Sequence, residues 1–259
     1  MQAALDNAPG IAMGDVVGSN VANVLLLLEL PALISTIDTH NCEAMRSFLQ
    51  MMIASVAFIA PCHLGPLTWW HGLILLAMPG VMLTDAVMSA RKSRNSGPEA
   101  FLEDLEDVDP NMAAWKIGGF IAVGLIGLPV GAHLPIEGAR SIAMGWGVSE
   151  AAIGLTLVAV GTSLPDIATI LTAAIRKQAD VALGNVIGSI LFNLVGIMGG
   201  ATIIAPIGVD QRFLTIDLWV MLGASALLAP FVLGWLPFSR RVGAGFIALY
   251  LRYMAAAFA

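Results

Sequence analysis

The chain has 259 residues, of which 58% are hydrophobic and only 12% are charged, and its mean hydropathy is +0.85. Because about a quarter of the residues of a soluble domain are charged, this composition excludes an ordinary soluble domain and indicates an all-α polytopic membrane protein. The formal net charge of −6 does not indicate a nucleic-acid partner.

Apolar runs separated by Gly, Pro and charged residues predict eight membrane spans. They lie near residues 11–30, 47–62, 67–89, 114–132, 149–175, 180–205, 214–235 and 239–257. The stretch "EAFLEDLEDVDP" after the third span is typical of a solvated loop. We therefore predict three helices in residues 1–90, an acidic cytoplasmic loop in residues 91–112 and five helices in residues 113–259.

The lysines and arginines predict the orientation of these spans. If the 91–112 loop is cytoplasmic, strict alternation places most of the basic residues on the cytoplasmic side. Only Arg140, Arg212 and Arg252 then fall outside. We expect a multi-pass protein of the cell (inner) membrane, whose surroundings are the lipid bilayer.

An internal repeat links the first predicted span to the sixth. "IAMGDVVGSNVAN" at residues 11–23 matches "VALGNVIGSILFN" at residues 181–193, at an offset of 170. An odd number of crossings separates the two copies, so they run through the membrane in opposite directions. Inverted repeats of this kind are typical of secondary transporters. For the glycines alone, close helix packing is an equally good explanation.

The stretch "AVGTSLPD" at residues 159–166 places an acid deep in an apolar span. An ionisable group at that depth indicates a functional site. Thr162 and Ser163 precede Asp166 by four and three residues, so their oxygens share one helix face. Pro165 leaves the Gly161 carbonyl without its helical partner. Such a set of oxygens suits a hard cation.

These motifs resemble those of the calcium/cation antiporter superfamily, the sodium/calcium exchanger-like membrane proteins. "GTSLPD" and "ADVALGNVIGSILFN" resemble the second α-repeat of that family, and "GDVVGSNVAN" resembles the back half of the first. The resemblance implies a ten-helix plan of two inverted halves and exchange of Ca²⁺ for Na⁺, or for H⁺ or K⁺, by alternating access. It implies no enzyme and no cofactor. The cation ligands that it implies are Thr162, Ser163, Asp166, Ser189, Asn193, Ser19 and Asn23.

The chain also departs from the family pattern. Asp166 stands where Glu is common, although K⁺-dependent members resemble this chain in using Asp. Asp15 replaces an Asn that Asn185 keeps in the second copy, and it either adds a titratable group near the pathway or faces a polar loop. The first repeat's own Gly-Thr-Ser-x-Pro-Glu helix is missing. Because Met1 aligns with Leu171 at the offset of 170, we expect the chain to begin within that helix.

Two alternatives to transport stay open at this stage. The first is a degenerate, non-transporting membrane scaffold or partner subunit that retains the fold. The second, more remote, is an intramembrane protease using Asp15 and Asp166, although "AMGD" lacks the Gly-x-Gly-Asp pattern. We expect Glu29, near a span end, to reach the membrane interface.

Overall fold

The computed structural model describes residues 9–29, 44–94, 119, 138, 141–147, 150–175, 179–237 and 239–258. Over these residues the regular structure is helical, and the only extended pairing is a single antiparallel bridge between Leu67 and Ile207. The all-α prediction is therefore confirmed.

The described part of the chain contains eleven α-helices with defined bounds and a further short helical stretch at residues 141–145. In chain order the eleven α-helices are α1 Pro9–Ala22, α2 Met45–Cys62, α3 Trp69–Arg94, α4 Glu150–Ile153, α5 Ala159–Thr162, α6 Leu164–Ile175, α7 Ala179–Leu191, α8 Met198–Ile204, α9 Leu218–Ala226, α10 Ala229–Val232 and α11 Arg240–Phe258. Four π-helical turns extend or join them, at Asn23–Leu27, Gly154–Val158, Phe192–Ile197 and Phe213–Asp217.

Seven of the eight predicted spans coincide with described helices. The span predicted at 114–132 lies outside the described residues apart from Gly119, and so does the acidic loop beyond Arg94. Four helices in the described part are long and apolar enough to cross a membrane. These are Gly10–Leu27, Met45–Cys62, Val181–Ile204 and Phe213–Val232.

Helix α2 shows why the protein needs a bilayer. Phe48 and Phe58 are buried against the core, whereas Leu49, Ile53 and Val56 on the other face are more than half exposed. An apolar stripe on both sides of one helix is stable only if the outer stripe meets hydrocarbon. The helix therefore packs inward on one face and contacts lipid on the other.

Two sets of hydrogen bonds bring helix ends together. Leu67, before α3, and Ile207, after α8, exchange two backbone hydrogen bonds of 2.9 Å. Arg212 donates hydrogen bonds to the carbonyls of Ala256 and Ala257 at the end of α11. Strict alternation of the predicted spans puts all of these positions outside, so the two links agree with that topology.

The internal repeat extends to the backbone. In the first copy the N–H of Leu28 donates to the carbonyl of Asn23 across a π-helical turn. In the second copy the N–H of Met198 donates to the carbonyl of Asn193 across another. Both pairs are related by the offset of 170. Such turns interrupt the regular α-helical ladder and are frequent at functional sites.

Helix α1 is the central helix of the described structure. Of the span Gly10–Leu27, 83% is buried, against 39–44% of the other three apolar spans. It packs against α4, the Gly154–Val158 turn and α5 on one side and against α9 on another. The first copy of the repeat therefore lies in contact with the helix that carries the "GTSLPD" motif.

Candidate cation site

The helix that carries Asp166 is interrupted, as the sequence predicts. Helix α5 ends at Thr162, Ser163 forms a turn, and α6 begins at Leu164. Pro165 has no N–H to donate, so the helical ladder is incomplete here. Asp166 lies in the first turn of α6. Irregular backbone at membrane depth is tolerated where it lines a cavity.

A cavity of about 510 Å³ opens at this break. The first repeat copy supplies two of its polar side chains from α1, and the second copy supplies three more from α7 and the turn after it. The lining residues are Asp15, Ser19, Ser163, Asp166, Gly184, Asn185, Gly188, Ser189, Phe192, Asn193 and Ile197. Both copies of the inverted repeat therefore contribute to one cavity.

Five of the seven ligands expected from the resemblance line this cavity. They are Ser19, Ser163, Asp166, Ser189 and Asn193. The backbone of Thr162 ends α5, but its side chain lies outside the described part of the structure. The seventh, Asn23, is not among the described lining residues.

Asn23 occupies a different setting from its repeat counterpart Asn193. It is 1% exposed, and neither atom of its amide makes a hydrogen bond to a described residue. Its backbone carbonyl accepts the π-turn hydrogen bond from Leu28. A role for Asn23 as a cation ligand stays a prediction.

Asn20, which the sequence analysis did not single out, contacts a residue that lines the cavity. Its side-chain oxygen accepts a 3.0 Å hydrogen bond from the amide nitrogen of Asn193, across 173 residues of chain. Its own amide nitrogen contacts the sulfur of Met221 at 3.6 Å. With its nitrogen engaged, Asn193 has its side-chain oxygen left as the polar atom that can face a cation. Asn20 therefore positions Asn193.

Asp15 lines the cavity, which decides between the two alternatives for this residue. The hydroxyl of Ser19 donates a 3.3 Å hydrogen bond to one of its carboxylate oxygens. The side chain is partly buried. Among the described lining residues there are therefore two carboxylates, Asp15 and Asp166.

The polar groups that line the cavity indicate which kind of cation it suits. Its polar groups are carboxylates, hydroxyls and amides, and no Lys, Arg or His is among the described lining residues. Within the described ranges, no group of three or more His, Cys, Asp or Glu comes together. Oxygen ligands without imidazole or thiolate suit hard cations such as Ca²⁺ and Na⁺ rather than soft transition metals.

Two further acids are buried away from this cavity. Glu29 is fully buried, and neither of its carboxylate oxygens accepts a hydrogen bond from a described residue. The expectation that it reaches the interface is therefore wrong. It lies beyond the π-helical turn, where the chain still packs inside the bundle. Asp217 is also fully buried, but Arg212 lies 3.5 Å from it and Tyr253 donates a 3.2 Å hydrogen bond to it. Asp217 therefore connects α11, which carries Tyr253, to the segment that carries Arg212.

An all-helical membrane protein with an inverted repeat and an oxygen-lined cavity between its two copies has the architecture of a secondary cation transporter. The family model described as "Sodium/calcium exchanger protein" matches residues 1–84 and 116–259. The chain belongs to the sodium/calcium exchanger family. It is a multi-pass membrane protein, and membership of a transporter family favours cation exchange over a non-transporting scaffold.

Proteins with curated descriptions agree with this placement. The inner membrane protein YrbG of Escherichia coli (strain K12) is 30% identical over 230 residues, which cover 88% of this chain and 71% of that protein. The putative antiporter CaxA of Alkalimonas amylolytica is 31% identical over 219 residues, 84% of this chain and 68% of that one.

A solved structure supports the fold. The sodium–calcium exchanger NCX_Mj, soaked with Na⁺ and Sr²⁺, superposes with a TM-score of 0.73 at 30% identity. The match covers 98% of this chain and 79% of that one. The inverted-repeat exchanger fold expected from the sequence is therefore confirmed.

Proposed function

We propose that this chain exchanges Ca²⁺ for Na⁺ across the cell's inner membrane by alternating access. The cavity between α1, the break at Ser163 and α7 is the cation site. The observation that carries the proposal is that side chains from both repeat copies line one oxygen-rich cavity containing Asp166. H⁺ and K⁺ are the alternative counter-ions, because an oxygen cage accepts each of them.

Asp166 supplies a fixed negative charge at membrane depth, where an unpaired carboxylate is costly unless it meets a cation. The hydroxyls of Ser163, Ser19 and Ser189 supply neutral oxygens, as does the amide of Asn193. The hydroxyl of Thr162 belongs to the same proposed set. Asn23 is assigned to it by the repeat pattern. Neutral oxygens replace water around the ion without adding charge that would hold it too firmly.

Alternating access follows from the position of the site between inverted repeats. The front and back parts, residues 1–90 and 113–259, are the proposed halves that move against each other. Each half contributes ligands to the site. Opening the cavity to one face of the membrane therefore moves the ligands of one half away from those of the other half. A cation is therefore released only after the site has turned to the opposite face.

The test is Na⁺-gradient-driven uptake of radiolabelled Ca²⁺ into liposomes containing the purified full chain. Asp166→Asn should reduce uptake to the level of empty liposomes, because the amide keeps the shape and removes the charge. Asp210→Asn is the matched control, since this carboxyl is exposed in the loop before Phe213–Asp217. Unchanged uptake in Asp166→Asn would remove that residue from the site.

The same vesicles identify the counter-ion. Replacing the Na⁺ gradient by a K⁺ gradient or a pH gradient of equal driving force should lower Ca²⁺ uptake. Uptake driven equally by a pH gradient would overturn the choice of Na⁺. No uptake under any gradient would favour a non-transporting scaffold.

A further inference from the structure

A second cavity, of about 310 Å³, opens between α9 and α11 on the surface of the bundle, and we call it the α9–α11 groove. Ile216, Leu227 and Leu249 line it, and their side chains are between 43% and 50% exposed. Exposed apolar side chains of a multi-pass membrane protein meet the hydrocarbon of the bilayer. The groove is therefore open to lipid.

The α9–α11 groove is elongated along the helix axes. The residues that α9 and its flanking turns contribute to it recur every three or four positions, so they form a stripe along one helix face. They include Ile216, Val220, Gly223 and Leu227. At a rise of 1.5 Å per residue the stripe is about 16 Å long. An apolar slot of this shape, with a glycine in its wall, suits a single acyl chain.

Arg252 is the one charged residue among the described lining residues of the groove. It is exposed, and the described part of the chain supplies it with no ion pair. Arg212 provides a contrast, because its guanidinium contacts Asp217 and donates hydrogen bonds to two carbonyls at the end of α11. A charge beside hydrocarbon is costly unless it is paired. Arg252 therefore needs an anion that the described residues do not provide.

The depth of Arg252 fits the phosphate of a lipid headgroup. At a rise of 1.5 Å per residue it lies about 9 Å before Phe258, where α11 ends. An arginine side chain extends from that depth toward the membrane interface. The groove continues past Arg252 toward Leu227, deeper in the span Phe213–Val232. A phosphate at Arg252 and an acyl chain toward Leu227 would therefore both follow the groove.

We propose that the α9–α11 groove binds one anionic phospholipid, with its phosphate on Arg252 and one acyl chain along α9. Basic pockets between membrane helices are typical binding positions for anionic headgroups. The lipid belongs to the leaflet at the C-terminal end of α11, which the predicted alternation of spans places outside. A twofold contact with a second copy through this face would bring two Arg252 side chains together, and like charges repel. The inference does not depend on which cation is transported.

Native mass spectrometry of the purified full chain tests this, with dioleoyl phosphatidylglycerol and dioleoyl phosphatidylcholine as the probes. The two lipids have the same acyl chains, but in phosphatidylcholine the choline offsets the charge of the phosphate. The natural chain should bind one phosphatidylglycerol about tenfold more tightly than phosphatidylcholine, the factor expected for one charge-assisted hydrogen bond. Equal affinity for the two lipids would contradict the site.

Variants at Arg252 test the contact with the headgroup. Arg252→Gln should remove the preference for phosphatidylglycerol, whereas Arg252→Lys should retain most of it. An unchanged preference in Arg252→Gln would contradict the proposal. Inorganic phosphate in excess should leave the bound phosphatidylglycerol in place, and its displacement would mean that a free anion occupies Arg252 instead of a lipid.

Variants at two glycines test the contact with the acyl chain. A Cβ on Gly223 would meet no described atom within 4 Å, so Gly223→Leu should fill the groove without disturbing the packing and weaken the binding of both lipids. Gly245→Leu is the matched control, because Gly245 is equally open on α11 but is not among the described lining residues. It should bind both lipids like the natural chain.

The glycine pair also keeps the test decisive if Arg252→Gln does not fold, which thermal melting in detergent would reveal. Equal lipid binding by Gly223→Leu and Gly245→Leu would then contradict a site in the groove. A protein dimer that Gly223→Leu dissociates and Gly245→Leu leaves intact would assign the groove to a second copy of the chain, and the lipid proposal would be wrong.

Discussion

The two copies of the repeat have the same glycine-serine motif in opposite surroundings. A Cβ placed on Gly18 in α1 would lie 2.5 Å from the carbonyl oxygen of Leu155 and 2.8 Å from the Cβ of Ala159. A Cβ on Gly188, the equivalent residue of α7, would have no described atom within 4 Å. Phe192, one turn further on, is 65% exposed. One copy is packed tightly, and the other forms an exposed wall of the cavity.

This difference shows that one motif has two physical uses. In α1 the glycine permits a helix crossing so close that backbone meets backbone, which is the packing explanation of Gly-x-x-x-Gly. In α7 the glycine keeps side-chain volume away from the cavity in which Ser189 and Asn193 lie. For the glycine of the motif, the packing explanation therefore applies to Gly18, whereas Gly188 lines the cavity.

The largest effect is expected from an added methyl group in the packed copy. Gly18→Ala should destabilise the protein by about 2–3 kcal/mol, because the two nearest obstructing atoms belong to the backbone of Leu155 and cannot move aside. The matched variant Gly188→Ala should melt like the natural chain. Thermal unfolding of the purified proteins in detergent measures both. An equal loss of stability at the two positions would mean that α7 is packed like α1.

A smaller effect is expected where the copies differ in polarity. Asn20 holds Asn193 by a hydrogen bond, whereas its repeat counterpart is Ile190. Asn20→Leu should cost about 1 kcal/mol of stability, which is typical of one interhelical hydrogen bond in a membrane. It should also weaken Ca²⁺ uptake by releasing Asn193. Ile190→Leu is the control, and an equal loss of uptake there would contradict a specific role for Asn20.

An effect of similar size but opposite sign is expected at Glu29, whose repeat counterpart is Gly199. Gly199 permits α8 to approach Leu76 of α3, where a Cβ would meet its Cγ at 2.9 Å. Glu29 instead buries a carboxylate that has no described partner. Glu29→Met should raise stability by about 1 kcal/mol, because it removes an unsatisfied polar group while keeping similar length. Raised stability with lost uptake would give Glu29 a part in transport.

Much of the fold followed from local signals. Pro165 after Thr162 and Ser163 predicts an interrupted helix, because proline has no N–H to donate to the helix regardless of the rest of the fold. The offset of 170 predicts that the two copies fold alike, and the structure shows a π-helical turn at Asn23 and another at the equivalent Asn193. These features depend on neighbouring residues and not on the packing of the whole bundle.

The site itself was only partly predictable. Asn20 has no recurring partner at position 190, so a search for matched residues passes over it, although an asparagine in an apolar span needs a hydrogen-bond partner. The direction of Asp15 depends on how α1 lies against α5 and α7, and Glu29 is buried by helices distant in sequence. Such surroundings come from tertiary packing, which no short motif encodes.

Diffraction from crystals soaked in Sr²⁺ would test the central claim, a single cation site built by both repeats, most directly. Sr²⁺ takes oxygen ligands like Ca²⁺ and is located by its anomalous scattering. One anomalous peak is expected inside the cavity, within about 2.6 Å of the Asp166 carboxylate and in contact with oxygens from both repeat copies, and Asp166→Asn should remove it. A peak held by one copy alone, or one that persists in Asp166→Asn, would contradict the shared site.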